Sequence, residues 1–121
     1  MKILMVDGNK DTRILPAILL RRAGYTVLEE ESGLAALETI AADGDIGLVI
    51  TGGKLDDMSG VDFSFRLNNV IPNMPLILTS GGNEPREHRA HLFLPRPYMP
   101  EKNLYDAIER LINKPRMVSN R

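Results

Sequence analysis

The chain contains no cysteine. Disulfides, thiolate metal sites and thiol catalysis are therefore excluded, and the absence suits a reducing compartment. Aromatic residues are scarce, at 5% of 121 positions, and no flavin motif accompanies them, so a flavin-dependent redox carrier finds little support. Neither sign of charge is in excess. The net charge is -1, and no global field would draw nucleic acid or an anionic membrane. Long apolar runs are missing too: Ile3-Leu4-Met5-Val6 ends at Asp7, too short for a signal-peptide core, and nothing approaches a membrane span. There is no internal repeat or low-complexity tract. What is present is a sequence 43% hydrophobic and 26% charged, the composition of one ordinary globular domain with a sound core. A soluble, cytoplasmic protein is the expectation.

Short apolar runs alternate with amphipathic stretches. Ile3 to Val6 reads as a buried strand. Ile14, Leu15, Ile18 and Leu19 then recur at helical spacing as far as Gly24, a natural helix stop. Pro16 falls inside that stretch, where it costs a hydrogen bond unless it lies in the first turn. Tyr25 to Leu28 reads as a second strand. Leu34, Leu37 and Ala41 mark a second helix ending at Asp43-Gly44, and Ile46 to Thr51 a third strand. Val61, Phe63, Phe65 and Leu67 alternate at period two, which locally favours a strand. A parallel sheet, however, needs a crossover at that point, so a helix is predicted over 61–67.

Pro75 opens a fourth strand, Leu76 to Thr79, closed by Ser80-Gly81-Gly82. Residues 84–90 leave room only for a short helix, and Leu92-Phe93-Leu94 forms a brief fifth strand. Pro100 suits a first helical position, with Leu104, Ile108, Leu111 and Ile112 following on one face. Residues 114–121 are a polar, basic tail expected to fray, which leaves 1–113 as the domain. Five strands alternating with five helices give an α/β, doubly wound parallel sheet with right-handed crossovers. Ligands in such folds bind at the carboxyl ends of the strands. Here that edge carries Asp7-Gly8, Thr51-Gly52-Gly53, Ser80-Gly81-Gly82 and Pro95-Arg96.

Other groupings carry less. Asp56-Asp57 is an acidic pair near that edge, but turn chemistry accounts for both residues. Asp43 and Asp45 flank Gly44 in a turn at the opposite edge. His88 and His91 stand three apart without a third ligand, and a solvated face explains them better than a metal. Arg86, Arg89 and Arg96 give the region after the fourth strand a basic cast. The turns Gly52-Gly53 and Gly81-Gly82 read as tight geometry, or as a backbone nest for an anion beside Arg96.

Five segments stand in an order and spacing that resembles the response-regulator receiver domain of two-component signalling, over roughly residues 2 to 113. They are Ile3-Leu4-Met5-Val6-Asp7, Gly24-Tyr25-Thr26-Val27, Gly33 with Ala36-Leu37, Pro75 to Ser80, and Leu94-Pro95-Arg96-Pro97-Tyr98. The resemblance implies a (βα)5, flavodoxin-like sheet in the order 2-1-3-4-5, with Ile3, Met5, Val27, Val49, Ile50, Ile77 and Leu78 buried. It also implies a site in which two acids, an acceptor aspartate and a nearby backbone carbonyl hold magnesium, while a lysine and a hydroxyl residue hold the phosphoryl group.

The chain departs from that pattern. Asp7 fills the first acidic position, but Gly8 fills the second and Gly52 stands at the acceptor. Ser80 keeps the hydroxyl. Arg96 replaces the lysine, a rigid planar fork in place of a compact point charge. Lys54 occupies the position of the metal-binding carbonyl. Asp7 is expected either to cap the first helix or to pair with Arg96 or Lys54, and no divalent metal is expected to bind well. The segment between Ser80 and Arg96 is also shorter than receivers usually have.

The expectation is a stand-alone, phosphorylation-independent pseudo-receiver. It is not an enzyme, requires no cofactor, and has no attached DNA-binding or catalytic domain. It would bind a signalling protein such as a histidine kinase or a downstream effector, through a face carrying Phe93, Tyr98, Tyr105, Arg86 and Arg89. The same face could pair two copies of the chain. The alternatives are a small-ligand or anion sensor using the glycine-lined crevice, and a receiver phosphorylated at an unusual carboxylate.

Overall fold

Successive residues of a strand point to opposite faces, so an unbroken apolar strand needs cover on both. The computed structural model, which describes residues 1–97 and 101–112, provides that cover. The elements run β1 (Lys2–Val6), α1 (Lys10–Arg22), β2 (Thr26–Glu30), α2 (Gly33–Ala42), β3 (Ile46–Thr51), α3 (Gly60–Val70), β4 (Leu76–Ser80), β5 (Leu92–Pro95) and α4 (Lys102–Ile112). The strands form one sheet in the order β2-β1-β3-β4-β5, every pair parallel, with β2 and β5 outermost. This is the predicted topology.

Ile3, Met5, Leu48, Ile50 and Ile77 pack on one side against Ala17 and Leu20 of α1 and Leu104 and Ile108 of α4. Leu4, Val6, Val49 and Leu76 pack on the other, against α2 and α3. All seven residues expected in the core are buried.

The ambiguous segment is helical. Ser59 caps α3 by accepting a hydrogen bond from the Asp62 amide at 3.0 Å. Phe63 and Leu67, one turn apart, are buried, whereas Val61 and Phe65 are half-buried. The period-two alternation was a coincidence of an apolar helix with a broad inward face.

Two expectations need correction. First, α1 does not bury the stripe that its hydrophobic residues suggest. Ile14, Leu15 and Ile18 are 45%, 54% and 45% exposed, and the inward residues are Arg13, Pro16, Ala17, Leu19 and Leu20. Arg13 can face inward because polar partners await it there. Its Nη1 donates to the Asp7 carbonyl, at 2.6 Å, and its Nε to Glu29 Oε1, at 2.9 Å. Pro16 lies in the helix interior, beyond the first turn.

Second, no helix forms over 84–90. Gly81-Gly82 opens this segment, Pro85 lacks an amide proton, and so short a stretch cannot repay helix nucleation. Its backbone bonds elsewhere: the Arg89 amide donates to Ser64 Oγ on α3, the His91 amide to the Leu76 carbonyl, and the Leu76 amide to His91 Nδ1. The segment is a strap laid across α3 and β4. Four helices rather than five are therefore seen among the described residues. The expected helix start at Pro100, Tyr98 and the tail 114–121 lie outside the described residues. No described helix is long and apolar enough to cross a membrane.

Candidate functional site

The carboxyl ends of β1, β3, β4 and β5 border an open crevice of about 790 Å³, lined by Asp7, Gly8, Lys10, Lys54, Ser80 and Arg96 among others. The parallel sheet brings together residues far apart in sequence. Asp7 directly follows β1, Gly52 and Lys54 follow β3, Ser80 ends β4, and Arg96 follows β5.

Asp7 is 6% exposed, and a buried carboxylate must have its charge met. Its Oδ1 accepts from the Asn9 amide at 3.0 Å, and its Oδ2 from the Thr12 hydroxyl at 2.7 Å. The Arg96 Nη1 stands 3.4 Å from the same Oδ2. Of the two roles expected for Asp7, the ion pair forms, with Arg96 and not with Lys54. The N-cap of α1 is Asn9, whose side chain accepts from the Asp11 amide. Asn9 and Thr12 were missed in the sequence; a polar pair two and five residues past Asp7 was the available sign.

The carboxyl group of Asp7 occupies the space beside Gly52. A Cβ at position 52 would stand 2.8 Å from both Cγ and Oδ2 of Asp7, closer than side chains pack. Gly8 is similarly closed in, since a Cβ there would lie 2.8 Å from Asp56 Oδ1 and 3.0 Å from the Asp56 amide nitrogen. The Gly8 amide donates to the Lys54 carbonyl at 3.1 Å. Loop 53–57 is thus drawn over the end of β1, into the room that a second acidic side chain would need.

The magnesium that the resemblance implies does not fit the residues present. It requires oxygen ligands in near-octahedral array. Both oxygens of Asp7 are engaged, position 8 has no side chain, and the Lys54 carbonyl already accepts a hydrogen bond. Among the described residues no group of three or more His, Asp or Glu side chains could hold a metal ion.

Asp57 does not line the crevice. Its carboxylate accepts from the Gly33 and Leu34 amides at 2.7 and 3.0 Å, at the start of α2. Those two backbone bonds hold the carboxyl below its usual range. Asp56 is exposed at the crevice rim. The Ser80 hydroxyl accepts from the Gly82 amide at 3.2 Å, and the Ser80 carbonyl accepts from the Arg96 amide at 2.9 Å, which ties the ends of β4 and β5 together.

The residues expected on an interaction face are dispersed. Arg86 is exposed on the strap, and the Arg89 guanidinium lies 4.8 Å above the Phe65 ring of α3. Phe93 is half-buried in β5. Tyr105 packs into the opposite layer, where its hydroxyl donates to the Leu19 carbonyl of α1 at 3.3 Å. It braces α4 against α1. His88 pairs with Glu84 at 2.7 Å, and His91 bonds to β4, so neither histidine is arranged for a metal.

Comparison with known proteins agrees with this architecture. Residues 3–111 match the family model of the response regulator receiver domain. The chain is 36% identical to the chemotaxis protein CheY1 of Helicobacter pylori over 87 residues, covering 68% of this chain and 70% of the relative. It is 29% identical to the two-component response regulator ORR3 of Oryza sativa, covering 93% and 88% of the two chains. A solved receiver domain protein from Clostridium thermocellum superposes with a TM-score of 0.82 at 26% identity, over 93% of this chain and 94% of the other. Fold, order of motifs and extent of match together make this chain a member of the response regulator receiver family.

Proposed function

We propose that this receiver works without accepting a phosphoryl group and signals by binding protein partners. The observation that carries the reading is the Asp7 carboxyl group, which takes the volume beside Gly52 and is itself neutralised by Thr12, the Asn9 amide and Arg96. Neither nucleophile nor metal cage remains. Nor is a substitute at hand, because Asp57 is committed to the start of α2, and Asp56, exposed at the rim, belongs to no group of three or more acids or histidines among the described residues that could hold a metal. Incubation with acetyl phosphate and magnesium should leave the intact mass unchanged, and a beryllofluoride mimic should cause no magnesium-dependent change in the amide spectrum. A mass gain of one phosphoryl group mapping to Asp7, Asp56 or Asp57 would overturn the reading.

Two surfaces are available for a two-component signalling partner. The strap offers Arg86 and Arg89, near Phe93. The α1 helix offers Ile14, Leu15 and Ile18, adjacent on one exposed face, the larger apolar patch. Candidate histidine kinases presented to wild type, Arg89→Ala and Ile14→Lys/Ile18→Lys should bind the wild type equally with and without acetyl phosphate. The α1 double variant is expected to weaken binding by about thirtyfold, the loss of a small hot spot. Equal binding by all three proteins would remove both surfaces.

A further inference from the structure

We propose that the crevice binds a small phosphate-type oxyanion directly, with no metal ion as intermediary. The inference rests on the reading that this site holds neither magnesium nor a phosphorylated side chain, and it gives the site a ligand class of its own. Three cations reach the crevice from three separate segments: Lys10 from the first turn of α1, Lys54 from the loop after β3, and Arg96 from beyond β5. Lys10 and Lys54 are exposed and make no ion pair among the described residues.

Among the described residues the Arg96 guanidinium has one contact, at 3.4 Å to Asp7, and a guanidinium carries five N–H donors. The charge of Asp7 is already met from within the fold. Among the described residues Asp56 is the one other carboxylate lining the crevice, so the two ammonium groups, which form no ion pair there, face one opposing charge. The Ser80 hydroxyl, already accepting from Gly82, keeps its proton for donation.

An oxyanion suits this arrangement better than a neutral molecule or a cation. Ammonium and guanidinium donors make short, charge-assisted hydrogen bonds to phosphate oxygens, about twice as strong as neutral ones. A volume of about 790 Å³ exceeds the needs of a free phosphate ion, so the group could equally belong to a phosphate monoester. Both present the same terminal oxygens to Lys10, Lys54 and Arg96. Bound phosphate would also compete with Asp7 for the Arg96 guanidinium, coupling occupancy to the contact between the β1 and β5 ends.

The test is an amide-resolved titration of the full chain with inorganic phosphate and, separately, phenyl phosphate, in chelator and at low salt. Saturable shifts are expected around Lys10, Lys54 and Arg96. Lys10→Ala and Lys54→Ala should each weaken binding about tenfold, and Asp56→Asn should tighten it. Tighter binding of inorganic phosphate would identify the free ion as the ligand, and tighter binding of phenyl phosphate an ester. An absence of saturable shifts, binding indifferent to both lysine variants, or binding that appears only with added magnesium would overturn the proposal. The acetyl phosphate experiment keeps the two readings apart. A mass gain there defeats the phosphorylation-independent function, whereas an unchanged mass with no phosphate binding defeats the oxyanion site alone.

Discussion

Gly52→Asp is expected to lower the stability of the domain by about 1–3 kcal/mol, the usual cost of forcing atoms into filled space, and to produce no magnesium-dependent phosphorylation. The new Cβ would stand 2.8 Å from the Asp7 carboxyl group, and the new carboxylate would add a like charge to the same small volume. Asp7 would have to abandon Thr12 and Arg96, and no second acid waits at position 8 to share a metal. Gly52→Ala isolates the steric part of the cost and should lose less than the aspartate does. Adding Gly8→Asp and Arg96→Lys restores the missing ligand and cation, and the three groups act as a unit. The triple variant should therefore take up more phosphate than the single one, to the extent that loop 53–57 yields its place beside Gly8. Denaturant unfolding and intact mass read both quantities. Efficient phosphorylation of the single variant would show that Asp7 is far easier to displace than its three hydrogen-bond donors imply.

Arg13→Met should cost about 2–3 kcal/mol, the range for hydrogen bonds to charged groups whose partners stay behind. The side chain is buried, and its loss strands the Asp7 carbonyl and leaves Glu29 with Arg21 as its remaining partner. Acid unfolding offers an independent readout. Burial alone would raise the Glu29 carboxyl, but hydrogen bonds from Arg13 and Arg21, with their charges, outweigh it and hold it below the usual carboxylate range. A carboxylate depressed in the folded state stabilises fully above its unfolded-state pKa, and that contribution is lost as pH falls through the folded-state value. The Met variant should thus show a flatter decline of stability with acidification over that interval. An unchanged acid limb would mean that Arg21, at 3.1 Å from Glu29, carries the pair by itself.

The sheet could be read from the sequence because its strands are apolar throughout and separated by clear stops. Its order followed from the family resemblance. The inner face of α1 could not be read in that way. The stripe 13, 16, 17 and 20 contains an arginine and a proline, while three aliphatic residues beside it point outward. Hydrophobic ranking picks the wrong face when a buried cation is satisfied by a glutamate on a neighbouring strand and a backbone carbonyl. At the site, the identities of Asp7, Gly8, Gly52, Ser80 and Arg96 were visible at once. Their consequences were not, since nothing in the residue types says that Asp7 turns into the room beside Gly52 or that the Lys54 carbonyl bonds to Gly8. The strap over 84–90 was half legible: its length ruled out a long helix, but its anchors at Ser64 and Leu76 depend on tertiary placement.

The two outer strands bear on self-association. A free strand edge is a row of unpaired amides and carbonyls that invites another chain to extend the sheet. β5 offers only four residues and ends at Pro95, which has no proton to donate. β2 carries Glu29 and Glu30 along its second half, and a copy docked there in parallel or antiparallel would meet those charges or its own repeat of them. Neither border is a good template. Two copies of this chain would therefore have to meet through side chains on the helices or the strap, leaving each sheet closed at five strands, and such an association should be reversible and free of fibre-forming growth.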